Sequence, residues 1–331
     1  MVDWGASPSV VGALKRDLNM EPSPQTFYDE LADSYHLIFA DWEASIRRQG
    51  ELLDGLLQAE LKRGPQDGVT VLDCSCGIGT QAIGLSLRGY TVHATDLSPA
   101  AVRRAGREAA RRAASITTGV ADFRTLAGQV EGQFDAVLSF DNALPHLLTD
   151  DDLRLAAWNI AARTRPGGVF MASIRDYDAL IEQRPQFDGL PRLLGSNPGD
   201  SVPGPAGLRR IDGPDGTRIV FQMWDWDADG ARYTLTQFIL RQVGPVSQVD
   251  LVPQVDLNVQ VDLNVQVDPT RVDLTQVDLT QVDRKWRTEH YQTRYRALKR
   301  AELDAILAEA GFGGIRWTMT DFYQPVVIAR R

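Results

Sequence analysis

Apolar residues recur along this chain in two rhythms. Between residues 26 and 61 the spacing is helical. Phe27, Leu31, Tyr35, Ile38 and Phe39 share one face, and Ile46, Leu52, Leu53, Leu56 and Leu57 share another. This predicts a helical cap over 25–64, ended by Gly64 and Pro65. Short apolar runs then alternate with amphipathic stretches. They predict strands at 69–73, 90–95, 116–121, 134–140 and 169–174, separated by helices near 79–88, 98–114 and 150–164. Ser98 reads as an N-cap with Pro99 at the first helical position, and Arg165, Pro166, Gly167 and Gly168 read as a turn. Strand–helix alternation of this kind predicts an α/β fold with a mostly parallel sheet over 65–175.

The second half follows another pattern. Residues 185–207 are rich in Gly and Pro, and extended runs follow near 218–226, 233–242 and 286–295. They predict an inserted antiparallel subdomain over 176–247. In 284–331 a return strand leads to a helix at 299–310, ended by Gly311. Strands at 315–319 and 325–329 then bring the main sheet to seven. Within 248–283 a Val-Asp pair recurs at 249, 255, 261, 267, 272, 277 and 282, with a spacing of six residues and then five. This low-complexity insertion is expected in a hairpin loop, and residues 1–24 are expected to form a loose tail.

The candidate chemistry begins at the first predicted strand. It ends at Asp73, a Gly77-Ile78-Gly79 turn follows, and the next strand ends at Asp96. Glycines let backbone approach a ligand, and the Asp96 carboxylate at a strand end suits the two hydroxyls of a ribose. Ala82 stands where a dinucleotide site would place its third glycine, and the turn holds no basic residue for a pyrophosphate. A nucleoside without phosphates is therefore the expected ligand. Asp122 after the third strand suits an adenine amino group, with Phe123 beside the ring. The other reading of Asp122 is a turn cap. Asn142, after the fourth strand, points toward the reacting end of such a ligand or else forms an Asx turn before Pro145. Cys74 and Cys76 read as small reduced residues in the ligand loop. Trp224 and Trp226 form either an aromatic wall or core packing.

Composition narrows the classes. The net charge of −9 argues against nucleic acid as the main partner. Residues 248–283 contribute seven Asp and one Arg, so the rest carries only −3. No run of eighteen apolar residues marks a membrane span, and the first twenty residues do not read as a signal peptide. A cytoplasmic location is expected. No metal site is expected, because each repeat Asp is followed by Leu, Pro or Arg.

The Asp-x-x-x-Gly-x-Gly pattern resembles motif I of the class I S-adenosylmethionine-dependent methyltransferases. Segments 28–39, 141–147 and 173–180 resemble the glycine and sarcosine N-methyltransferase family. The resemblance covers 26–247 and 286–331 and implies a Rossmann-like class I methyltransferase fold, with S-adenosyl-L-methionine as cofactor and a small amino acid as substrate. It implies that Arg175 grips the substrate carboxylate, that Asn142 faces the acceptor amine, and that tyrosines line the same chamber, Tyr28 and Tyr35 matching approximately and Tyr295 and Tyr323 more loosely. A salt bridge to Asp176 or Asp178 is the other reading of Arg175. Tyr35, Cys74, Leu97, Asp141 and His146 join Asp73, Gly77, Gly79, Asp96, Asp122 and Phe123 as expected cofactor contacts. His146 also admits a structural role or that of a base. The family binds the cofactor carboxylate with a cap arginine; Ser45 falls near that position, so Arg47 or Arg48 is expected to reach it. A homo-oligomer is implied, although residues 1–24 do not match the family's assembling segment. The competing expectations are a same-fold N- or O-methyltransferase of a specialised metabolite, and a scaffold that binds a partner through the Val-Asp repeat.

Overall fold

In the computed structural model, the structure describes residues 23–188, 209–213, 216–242, 286–319 and 322–331. Most of the tail over 1–24, part of the Gly/Pro-rich stretch, and the whole Val-Asp insertion lie outside the described residues. The cap is two helices rather than one continuous run: α1 (Pro24–Leu31) and α2 (Trp42–Leu61). Each has its own N-cap, with Ser23 accepting from the Thr26 N–H and Asp41 from the Ala44 N–H, so two capped starts break what periodicity reads as one helical stretch.

The main body then runs β1 (Thr70–Asp73), α3 (Thr80–Ser86), β2 (Thr91–Asp96), α4 (Pro99–Arg111), β3 (Ile116–Val120), α5 (Leu126–Gln129), β4 (Phe134–Ser139), α6 (Asp150–Arg163), β5 (Thr164–Ser173) and α7 (Tyr177–Gln183). Two short strands follow, β6 (Phe187–Asp188) and β7 (Arg209–Gly213), then the long β8 (Gly216–Trp226), β9 (Arg232–Gln242) and β10 (Trp286–Arg296). Helix α8 (Arg300–Glu309), β11 (Gly313–Thr318) and β12 (Val326–Arg330) complete the chain.

The seven-stranded sheet has the order β11-β12-β5-β4-β1-β2-β3. Strands β1 to β5 pair in parallel, and β12 is antiparallel to both neighbours. Central strands β1, β4 and β5 are almost wholly buried, as expected of a sheet covered on both faces. The run from Arg165 to Gly168 is not a free turn. It continues β5 through a register irregularity opposite Phe134 and Ala136. Helices α2 and α3 pack at a glycine-to-glycine crossing, where a Cβ on Gly84 would lie 2.5 Å from the Ile46 carbonyl oxygen and 2.9 Å from the Gly50 Cα.

The chain reverses direction across the sheet between β1 and β4, so the crevice at their carboxyl ends is the natural ligand position. The second sheet, β10-β9-β8-β6 with β7 also on β8, is antiparallel. Alternation along β8 buries Arg218, Val220, Gln222 and Trp224 on one face. Arg218 donates to the Leu37 and Phe39 carbonyls, tying this sheet to the cap above the crevice.

Candidate active site

The loop after β1 is built from buried polar anchors. Asp96, ending β2, accepts the Gly77 N–H on Oδ2 at 2.8 Å and the Ser98 N–H on Oδ1 at 2.9 Å. Each oxygen keeps a second lone pair, and the carboxylate lines the crevice. Gly77 has a φ of +51°, and a Cβ added there would meet nothing within 4 Å, so its bare Cα opens onto the cleft. Gly79 serves differently. With φ +97° it turns the chain into α3, and a Cβ there would press 3.0 Å from Ile83 and 3.3 Å from Ala105. Asp73 is 1% exposed and lies beneath the loop rather than in the cavity walls, accepting the Ser75 N–H at 3.3 Å. Burial, reinforced by Asp96 and Asp141, pushes its carboxyl up to about 8.

Three adjoining cavities fill the crevice, and Tyr28 lines all three. Asp29 places it there by accepting from the Ser98 hydroxyl and the Ala100 N–H, which pins α1 to the start of α4. The largest of these three, about 360 Å³, is walled by Cys74, Leu97, Phe123, Ala143 and Leu147, with Asp96 and Asp122 among its polar positions. Asp122 is both wall and cap. It accepts the Arg124 N–H and grips the Arg124 guanidinium; burial alone would raise its carboxyl, but these bonds hold it below the usual range. The second cavity, about 40 Å³, lies between Gly77, Gln81 and Asp141. Apolar walls with a few convergent polar groups are what a small-molecule site needs. Asp96 beside a bare Gly77 fits a ribose without phosphates. Cys74 and Cys76 are buried thiols whose pKa is raised by that burial.

The third cavity, about 70 Å³, holds Arg175 among Tyr35, Asp141, Gln222, Gln237 and Tyr295. The Arg175 guanidinium donates from Nη1 to the Tyr233 hydroxyl at 2.8 Å and from Nη2 to Gln222 Oε1 at 3.3 Å. It lies 4.6 Å over the Trp224 ring and 5.2 Å from that of Tyr295, distances suited to cation–π attraction. Gln222 is fixed in turn by donating to Gln237 Oε1 directly across the β8–β9 ladder. Asp176 and Asp178 pair with Arg300 instead, and Trp224 is core and aromatic floor at once.

Several expectations change. Arg47 and Arg48 sit on the exposed side of α2 and line none of the three cavities; the helix register that buries Ile46 and Gln49 turns both outward. Asn142 is 1% exposed and lines none of these three cavities either. Its Oδ1 accepts the Arg175 N–H at 3.0 Å and the Tyr177 hydroxyl at 3.1 Å, while its Nδ2 donates to the same hydroxyl. Its Oδ1 and one amide N–H thus position Arg175 and Tyr177. His146 donates from Nδ1 to the Arg294 carbonyl at 3.2 Å and accepts the Tyr28 hydroxyl on Nε2 at 3.0 Å. Burial lowers its pKa to about 3, so it is a neutral structural group in the cavity wall. Sequence reasoning missed Gln81, Gln222, Gln237, Tyr177 and Tyr233. Gln222 and Trp224 at alternate positions of one strand were the available signal. Among the described residues, no helix is long and apolar enough to cross a membrane and no group of three or more His, Cys, Asp or Glu could hold a metal.

Residues 71–168 match the family model described as methyltransferase domain. The sheet order, the glycine turn and the strand-end acids give the chain a Rossmann-like class I methyltransferase fold, with the matched methyltransferase domain over 71–168. It is similar to the glycine/sarcosine N-methyltransferase of Parasynechococcus marenigrum, 31% identical over 158 residues, which is 48% of this chain and 54% of that protein. The chain thus spans about half the length of this curated relative. An S-adenosylmethionine-dependent methyltransferase from Clostridium acetobutylicum superposes with a TM-score of 0.56 at 13% identity, covering 86% of this chain and 91% of that one. The S-adenosylmethionine-bound amino pentose methyltransferase CalS10 from Micromonospora echinaspora gives 0.53 at 15% identity over the full length of both chains. These two likenesses establish the fold.

Proposed function

We propose that this chain transfers a methyl group from S-adenosyl-L-methionine to the amine of a small amino acid such as glycine, sarcosine or a close analogue. The observation that carries the reading is Arg175, held by Tyr233 and Gln222 in a small chamber that adjoins the nucleoside cavities. A planar guanidinium suits a carboxylate because two parallel hydrogen bonds fix its direction. The similarity to a glycine/sarcosine N-methyltransferase supports the same substrate class. When bound, S-adenosylmethionine supplies an electrophilic methyl group on a sulfonium. The protein's part is placement. Asp96 takes the ribose hydroxyls, Asp122 and Phe123 the adenine, and the walls between Gly77 and Gln81 the amino-acid end. Arg175 takes the acceptor carboxylate, and Tyr28, Tyr35 and Tyr295 confine the amine. Alignment of lone pair, carbon and sulfur then supplies much of the acceleration. Aromatic faces around the chamber suit cationic reactants and products.

A screen with methyl-labelled donor across small amines, amino acids and phenols tests this. Transfer to glycine or sarcosine with loss in Arg175→Ala supports the reading. Transfer only to larger acceptors that lack a carboxylate, indifferent to that change, replaces it with the specialised-metabolite alternative.

A further inference from the structure

Asp141 occupies a backbone position that a glycine would fill with less strain. Its φ is +58°, and that of Asn142 is +67°, a pair of left-handed residues held in place by β5. The Asp141 N–H donates to Ser173 Oγ at 2.9 Å, the Asn142 N–H to the Ser173 carbonyl at 3.1 Å, and Ser173 Oγ itself to Gln324 Oε1 at 2.9 Å. Strain maintained in a cleft points to a use for the side chain.

The side chain is aimed as well as held. Oδ2 accepts from Gln81 Nε2 at 2.8 Å, and the same nitrogen donates to Gln49 Oε1 at 2.8 Å, so a buried amide relay from α2 fixes the carboxyl. Oδ1 is closed to solvent and has no hydrogen-bond partner among the described residues. The carboxyl lines both the cavity beside Gly77 and the chamber of Arg175, so it stands where the methyl donor and the acceptor meet. Facing it are Tyr28 and Tyr35 from the cap, Asp73 and Asp96 from β1 and β2, Arg175 after β5, Tyr295 from β10 and Tyr323 before β12. His146, the other basic candidate, has Nε2 engaged by Tyr28.

Resting on the reading that the acceptor is an amine, we propose that Asp141 is the proton acceptor for the bound substrate ammonium. The ammonium N–H bond breaks and its proton forms an O–H bond on the Asp141 carboxylate. The carboxylate becomes a neutral acid, and the nitrogen keeps the electron pair that it then gives to the methyl carbon. The acid returns its proton to solvent when the product leaves. Burial raises the carboxyl to about 6 against the opposing Gln81 hydrogen bond and Arg175 charge, close to the operating range a general base requires.

The test uses the full chain with Asp141→Asn and Asp141→Gly, the second relaxing the backbone while removing the carboxyl. Two quantities are measured: kcat/KM for glycine from pH 5.5 to 9.5, and calorimetric affinity for S-adenosylhomocysteine. The expected result is a loss of roughly 100-fold or more near pH 7 in both variants. With S-adenosylmethionine saturating for each protein, that loss shrinks as pH rises and solvent deprotonates the amine. Variant profiles parallel to the wild type, with the donor saturating at the affinity found by calorimetry, overturn the proposal while leaving the amino-acid reading intact. A wild-type chain that methylates no small amine defeats that reading first and the proposal with it.

Discussion

Replacing Asp73 with Asn should stabilise the ligand-free protein, and by an amount that depends on pH. The native carboxyl is 1% exposed with its pKa pushed from 3.8 to about 8, burial being the main cause and Asp96 and Asp141 adding to it. Between these values the native state keeps a proton that the unfolded chain has released. The native state therefore binds more protons, and stability falls as pH rises through the window. One site contributes up to about 1.4 kcal/mol per pH unit, so roughly 5 kcal/mol is lost in total between pH 4 and pH 8. Asn keeps the shape and can still accept the Ser75 N–H, but it never ionises. The variant should match the wild type near pH 4 and exceed it by several kcal/mol near pH 8. Its slope should be shallower but not flat, because Asp96 and Asp141 are raised as well. Urea unfolding followed by circular dichroism at pH 4.5, 6 and 8, without ligand, measures this. Parallel stability curves for the two proteins would show that Asp73 is ionised in the native state and refute the reasoning.

Two further outcomes follow from close contacts. Gly84→Ala places a methyl group 2.5 Å from the Ile46 carbonyl oxygen and should cost about 1–3 kcal/mol by forcing α2 from α3; an unchanged melting temperature would show that the crossing has slack. Asp96→Asn sets an amide donor near the Gly77 or Ser98 N–H and removes a charged acceptor from the crevice. Calorimetry should show S-adenosylhomocysteine bound roughly 10–100-fold more weakly, as expected for losing charge-assisted hydrogen bonds.

The strand–turn–helix–strand unit from Thr70 to Asp96 was legible because its rules are local. A buried parallel strand reads as a continuous apolar run, and only glycine readily takes the φ of +97° found at Gly79. Local rules also placed β8, β9 and β10 and put Asp96 at the cleft, whereas Arg175, Tyr28 and Tyr295, which line it too, came from the family resemblance. They failed where a side chain's role depends on a partner distant in sequence. Gln81 reads as an interior helix residue until Gln49 and Asp141 are seen on either side of it. Asn142 reads as a ligand contact until Tyr177 and the Arg175 N–H are found to occupy its amide. Arg47 and Arg48 were misjudged because helix rotation about its axis is set by the Gly50–Gly84 crossing, which neither arginine announces. The break between α1 and α2 was hidden because Tyr35, Ile38 and Phe39 keep an apolar face through a short 3₁₀ turn.

The central claim is that one guanidinium recognises the acceptor's carboxylate, and the most direct measurement is a ratio. It compares kcat/KM for glycine with kcat/KM for methylamine, an acceptor without the carboxylate, in the wild type and in Arg175→Ala. Arg175 in its chamber predicts a wild-type preference for glycine of roughly 100-fold, from about 3 kcal/mol of paired charge-assisted bonds, collapsing to near unity in the variant. A ratio that survives the loss of Arg175 unchanged would contradict the account.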